Sequence, residues 1–400
     1  MDAFHIDEFG SAYLRLALEI DKHIDGYVDA YYGPERIKEN VASTPPLQPN
    51  QLRDAHQRLM EIVPIDDDTR HKYLVAVLNA MRCSIGKISG KEYEYLEEVK
   101  YLYGISPKMV DETQFIKAQN ALDIQLPGKG SLAERMKRLR DEQTIPPQGI
   151  PAAVEAILDE IQSRTRKTIT LIHGESVAID YVKEKSYGAD CHYLGNYQSL
   201  ININIDRDWQ PLSLTFLLSH EAYPGHHTEL QTKEKSLYRE KGYAEESCIL
   251  LFTPRSIIAE GIANTAFEII SPEMELYEWM EGYLIPKLQL PKRKALELYH
   301  IYEALLTLRH SLSNVAIQFH SGLINEDEAI EYLQTYGLYD PMLAKQLFMK
   351  VKDPLYRTYM FTYTEGYRLI DKAVSGESKL PLFRTLLSEQ MLPSDLQFAT

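Results

Sequence analysis

The stretch Pro211-Leu-Ser-Leu-Thr-Phe-Leu-Leu-Ser-His220-Glu221-Ala-Tyr-Pro224-Gly225-His226-His227 carries the strongest local signal in the chain. From Pro211 to Tyr223 it reads as an apolar helix, with Asp208 as the expected cap and Pro211 in the first turn. A helix apolar around most of its circumference is buried, so a helical core is expected and His220 and Glu221 lie inside it. Burying a carboxylate costs on the order of several kcal/mol unless a cation or hydrogen bonds compensate. A metal ion would supply that compensation.

The common zinc-peptidase pattern is H-E-x-x-H, in which histidines at i and i+4 share a helix face and the Glu acts as base. Here the i+4 position is Pro224, whose ring clashes with the carbonyl four residues back, that of His220. The helix therefore kinks or stops near Tyr223, with Gly225 supplying the unusual backbone angles. On an unbroken helix His227 would share the face of His220 but sit about 10 Å along the axis, and His226 would point away. The Pro-Gly break is what lets a later histidine return towards His220. His226 is the favoured second ligand and His227 the alternate.

Catalytic zinc takes three protein ligands and leaves one position open. The third is expected from Ser256-Ile-Ile-Ala-Glu260-Gly261-Ile-Ala-Asn-Thr-Ala-Phe-Glu268, an apolar helix in which Glu260 stands beside a glycine that permits close approach of another element. Glu268 is the weaker alternative. Two histidines and a carboxylate suit zinc best, one ion per chain.

Helical periodicity dominates elsewhere. Tyr13, Leu16, Ala17, Ile20 and Ile24 share one face; so do Ala295, Leu298, Tyr299, Tyr302, Leu305 and Leu306, in a segment opening at Pro291. Further helices are expected at 50–62, 67–85, 92–103, 151–166, 254–269, 326–335, 341–351 and 377–389. In 198–205 the alternation of Ile201, Ile203 and Ile205 with Leu200, Asn202 and Asn204 has period two and predicts a strand, whose backbone could bind an extended peptide if it lies at an edge. Pro146-Pro147-Gln148-Gly149 is the expected boundary between an N-terminal helical subdomain (1–145) and a catalytic one (150–400). The fold expected is mainly α: a large helical bundle with a deep cleft between two helical subdomains and a small β element beside the site.

With 400 residues, 44% hydrophobic and 25% charged, the chain can bury a substantial core. Its net charge of −15, with no basic cluster, argues against nucleic acid and anionic membranes as partners. Cys83, Cys191 and Cys248 are odd in number and widely spaced, and the first eight residues lack a basic and an apolar run. A cytoplasmic protein with reduced thiols is expected; nothing in the sequence bears on its oligomeric state.

His220-Glu221-x-x-Pro224-Gly225-His226-His227 resembles the hallmark of a bacterial domain-of-unknown-function family, number 885, grouped with the gluzincin-type metallopeptidases. Glu260-Gly261-Ile262-Ala263 resembles its second block, and Tyr193-Leu194-Gly195-Asn196-Tyr197 the approach to its strand. Weaker matches are Gln318-Phe319-His320, Asp327-Glu328-Ala329-Ile330 and Tyr363-Thr364-Glu365-Gly366, so the resemblance spans about 190 to 370. Gln318 and Ala316 depart from the Gly and the upstream Asp of the Gly-Leu-His block that Gln318-Phe319-His320 resembles. Set against that family, a cytoplasmic variant is expected, shorter than many relatives and without their export signals.

The resemblance implies a gluzincin-like zinc metallopeptidase acting on short peptides, with a carboxypeptidase-like action. Glu221 would be the general base, and Tyr363 or His320 would stabilise the oxyanion. Asn202, Asn204, Tyr197 and His227 would contact substrate. The rival expectations are a zinc hydrolase of another amide or ester, and a non-catalytic metal-binding scaffold.

Overall fold

Asp7 opens the first helix, Glu8–Asp21, by accepting a hydrogen bond from the Gly10 amide at 2.7 Å. The inward face of that helix buries Tyr13, Leu16, Ala17 and Ile20 as its spacing predicts, and Ile24 is buried just beyond its end. The computed structural model describes residues 6–185, 187–373 and 379–397. The expected helices appear as Pro49–Glu61, Asp68–Ile88, Tyr95–Tyr103, Ile150–Thr168, Pro254–Ile269, Glu326–Gly337 and Pro341–Lys352. The one read at 377–389 is Lys379–Ser388; residues 377 and 378, like the N-terminal 1–5, lie outside the described residues. The segment read from Pro291 becomes helical only at Ala295 and runs to His320. Among the described residues the architecture is mainly α with two small sheets.

Two further helices, Glu112–Gln125 and Leu132–Gln143, escape apolar periodicity because so few of their residues are buried: Phe115, Ala118 and Leu122 in one, Met136 and Gln143 in the other. Their start signals were nonetheless present. Asp111 caps the first, and Ser131 with Glu134 forms a capping box on the second.

Strands β1 (Val28–Tyr31) and β5 (Cys248–Leu250) pair antiparallel. Strands β2 (Ser176–Val182), β3 (Ala189–Gly195) and β4 (Gln198–Asn204) form a mixed sheet in the order β2-β4-β3. The alternation read at 198–205 is real: Ile201 and Ile203 are fully buried, and Asn202 stands on the opposite face. Its position differs from the expectation of an edge. β4 is the central strand, parallel to β2 and antiparallel to β3, so its backbone groups are paired on both sides and cannot receive a peptide. Asn196 and Tyr197, both at positive φ, make the tight β3–β4 turn. Glu234 accepts from both turn amides, from Tyr193 and from Arg239, which pins the hairpin to the helical body.

The Pro146–Gly149 break is a short 3-10 turn that runs directly into Ile150–Thr168. The largest apolar core takes side chains from residues 9–105 and from 244–396, with Ile169 between them; a second, spanning residues 145 to 302, encloses the Pro211–Glu221 helix. Two glycines set the geometry beside it. A Cβ on Gly261 would lie 2.6 Å from the Gly366 carbonyl oxygen, and one on Gly366 would lie 2.4 Å from that of Ile257. Helices Pro254–Ile269 and Met360–Ala373 therefore cross in backbone contact, as Gly261 foretold.

Candidate metal centre

The Pro211–Glu221 helix starts from Gln210, whose amide bonds Ser213 Oγ, and not from Asp208. Its Leu214, Thr215, Leu218 and Ser219 are buried, and the hydroxyls of Thr215 and Ser219 bond carbonyls four residues back. The helix ends at Glu221. After it come a cis Tyr223–Pro224 peptide and Gly225, and a new helix begins at His226 and runs to Lys233. The Gly225 amide bonds the Ser219 carbonyl at 3.0 Å, and a Cβ on Gly225 would sit 1.8 Å from the His220 carbonyl oxygen. Only glycine fits there. The backbone doubles back, and the rings of His220 and His226 meet edge-on with centroids 4.7 Å apart.

Glu260 completes the group from the Pro254–Ile269 helix. Its Oε2 is 3.4 Å from His220 Nε2 and its Oε1 is 3.9 Å from His226 Nε2. One donor atom from each of the three residues lies within 4.8 Å of the others, so the group could hold a metal ion. A tetrahedral zinc with bonds of about 2.0–2.2 Å separates its ligands by about 3.3–3.6 Å, close to these spacings. Glu260 Oε2 is buried without a hydrogen-bond partner, an open valence facing His220. Tyr359 donates to Glu260 Oε1 at 3.1 Å and orients the carboxylate.

Burial decides the protonation of this group. It pushes the Glu260 carboxyl up to about 8, against the hydrogen bond from Tyr359, and brings His226 down to about 4. His220 is held well below the usual imidazole range by burial first and by His226 second. Neutral imidazoles beside a carboxyl that resists ionising form a donor set that a cation would relieve. Glu221 is also buried, 7% exposed, and accepts no hydrogen bond among the described residues. Burial, then the charges of Glu260, Asp190 and Asp29, raise it well above the usual carboxylate range.

His227 turns the other way. It is fully buried, with Nδ1 2.7 Å from Ser199 Oγ and Nε2 3.1 Å from Glu175 Oε2. It is neither in the metal group nor able to touch a substrate. Tyr363 is 47% exposed and packs edge-on against Tyr359, with its phenol in the field of Glu260 and Glu221. His320 is engaged elsewhere: its Nε2 donates to the Val351 carbonyl at 2.8 Å and its ring stacks on Tyr95, which spends the donor proposed for an oxyanion.

Asn204, 2% exposed, spends its amide on the carbonyls of Lys185 and Tyr187 and its oxygen on the Asp206 amide, which makes it a loop brace. Asn202 lies on β4 between Asp180 and Asp190 of the flanking strands. Tyr197 sits at the hairpin tip under Arg239. Glu268 bonds Tyr367 and Lys379 and plays no part in the metal group. Sequence reasoning passed over Tyr359, Asp29, Asp190 and Glu175. The first had a signal, standing four residues before Tyr363 on the same face; Asp29 and Asp190 come from β1 and β3 and had none.

No family model matches the chain, and no curated protein matches it. Among solved structures it is similar to a candidate lipoprotein from Colwellia psychrerythraea, with a TM-score of 0.54 at 14% identity over 94% of this chain and 67% of that one. A candidate lipoprotein of unknown function from Shewanella oneidensis gives 0.53 at 15% identity, over 87% and 70%. Metallocarboxypeptidase 1 of Trypanosoma cruzi gives 0.39 at 12% identity, over 97% and 90%. The first two likenesses concern the fold alone. Among the described residues no helix is long and apolar enough to cross a membrane.

Proposed function

We propose that this protein is a zinc-dependent hydrolase of short peptides, of the gluzincin-like kind that its His-Glu-x-x-Pro-Gly-His-His segment resembles, with a carboxypeptidase-like action. One observation carries the reading: His220, His226 and Glu260 converge from three helices while Glu221, adjacent to the first of them, keeps a buried carboxylate with no hydrogen-bond partner among the described residues. A scaffold that merely bound metal would have no use for that second carboxylate.

His220 Nε2, His226 Nε2 and the Glu260 carboxylate would hold one zinc per chain. When bound, zinc supplies Lewis acidity and an acidified water. Glu221 takes the proton of the attacking water on a carboxylate oxygen and delivers it to the leaving amine nitrogen. Its raised proton affinity suits both halves of that transfer. Tyr363 donates its phenolic proton towards the oxygen of the scissile carbonyl as charge develops there. The three free cysteines fit a reducing cytoplasmic setting.

Glu221→Gln tests this. Metal analysis and a peptide-library digest should find one zinc per chain in both proteins and cleavage only in the wild type. A wild type that retains no zinc ends the proposal; one that retains zinc but cleaves only non-peptide amides or esters replaces its substrate.

A further inference from the structure

His226 is the one metal-group residue whose aim depends on a backbone break, so whatever fixes that break fixes the ligand. The residues flanking it converge on one carboxylate. Glu175, on the turn before β2, is 1% exposed at its side chain. Its Oε2 accepts from Tyr223 OH at 2.6 Å and from His227 Nε2 at 3.1 Å. Its Oε1 accepts from Gln162 at 3.1 Å and Arg166 at 2.7 Å. Tyr223 precedes Pro224-Gly225-His226, and His227 follows it.

The same contact sets the His227 tautomer. With Nε2–H donating to Glu175, Nδ1 is the acceptor of a hydrogen bond from the Ser199 hydroxyl at 2.7 Å, which ties the break to the central strand β4. Ser199, His227 and Glu175 thus stand in the order of a hydrolytic triad. Ser199 is 1% exposed and His227 fully buried, so no substrate reaches them and the arrangement is mechanical.

We propose that Glu175 is a positioning residue that sets metal affinity: by gripping Tyr223 and His227 together it holds the chain doubled back, so that His226 faces His220 and Glu260. This rests on the reading of those three residues as metal ligands. Glu175 touches none of them and is not catalytic. It plays the part that an outer-shell carboxylate plays on a ligating histidine, one step removed through the backbone.

The experiment measures Zn2+ affinity by competition with a chromophoric chelator, and records the visible spectrum of the Co2+-loaded protein, for wild type, Glu175→Gln, Tyr223→Phe and Glu234→Gln. Tyr223→Phe removes one hydroxyl from the grip and should fold if Glu175→Gln does not. Glu234→Gln is the control: it disturbs an equally buried carboxylate that caps the β3–β4 turn without flanking His226. The expected result is Zn2+ binding weakened by about 10–100-fold in the two grip variants, with altered Co2+ spectra, activity restored by excess Zn2+, and Glu234→Gln within twofold of wild type. Grip variants within twofold of wild type overturn the proposal, as does an equal loss in Glu234→Gln. A wild type that binds no Zn2+ overturns the ligand reading itself.

Discussion

Replacing Gly225 with alanine is the smallest change that reaches the centre of this account. The new Cβ would fall 1.8 Å from the His220 carbonyl oxygen and 2.5 Å from that of Ser219, where real Cβ contacts essentially never come within 3.0 Å. Both neighbours are backbone, so no side chain can rotate away, and the two segments must part by more than about 1 Å. Overpacking of this kind costs typically about 1–3 kcal/mol. The functional effect is larger, because Gly225 directly precedes His226 and metal bonds tolerate errors of only about 0.2 Å. Losing one of three ligands should weaken zinc by more than the 10–100-fold expected from an outer-shell change. Gly282→Ala is the matched control: nothing lies within 4 Å of its Cβ position, so its zinc affinity and melting temperature should hold. A chelator competition alongside thermal melting decides it. A Gly225→Ala protein that binds zinc within twofold of wild type would refute the doubled-back geometry as the source of the site.

Glu260→Gln should abolish zinc binding yet stabilise the metal-free protein at alkaline pH. Because burial raises Glu260 from 4.5 to about 8, its favourable contribution is full below pH 4.5 and is lost as pH climbs to about 8, so the variant should melt above wild type at pH 8.5 and alongside it near pH 4.5; equal or lower melting at pH 8.5 counts against the buried-charge argument. Tyr359→Phe removes the hydrogen bond that orients Glu260 and should weaken zinc by about 10-fold in the same competition assay, whereas unchanged affinity would make Tyr359 a bystander. Asn204→Ala strips donors from the Lys185 and Tyr187 carbonyls and should cost about 1–3 kcal/mol in denaturant melts with zinc affinity intact; a raised KM without lost stability would return Asn204 to the substrate.

What the sequence disclosed were consequences of local backbone rules. Pro224 forbade a continuing helix, Gly225 marked a turn with unusual backbone angles, and Gly261 announced a close crossing beside Glu260, all readable from the local chemistry of single residues. Spacing favoured His226 but kept His227 as an alternate, since the partner that holds His227 away is Glu175, 52 residues distant. Tyr359 reaches Glu260 across 99 residues for the same reason. Strand β4 revealed its period but not its neighbours, because alternation describes a strand's faces and says nothing of who pairs with its edges. His320 stood in a stretch resembling a functional block, yet Tyr95 and Val351 hold it in a structural role.

Diffraction at the zinc absorption edge from crystals of the protein grown with Zn2+ tests the central claim most directly. The account predicts one strong anomalous peak per chain, about 2.0–2.2 Å from His220 Nε2, His226 Nε2 and a Glu260 oxygen, with His227 still bonded to Ser199 and Glu175. A peak bound through His227, or none near Glu260, would contradict it.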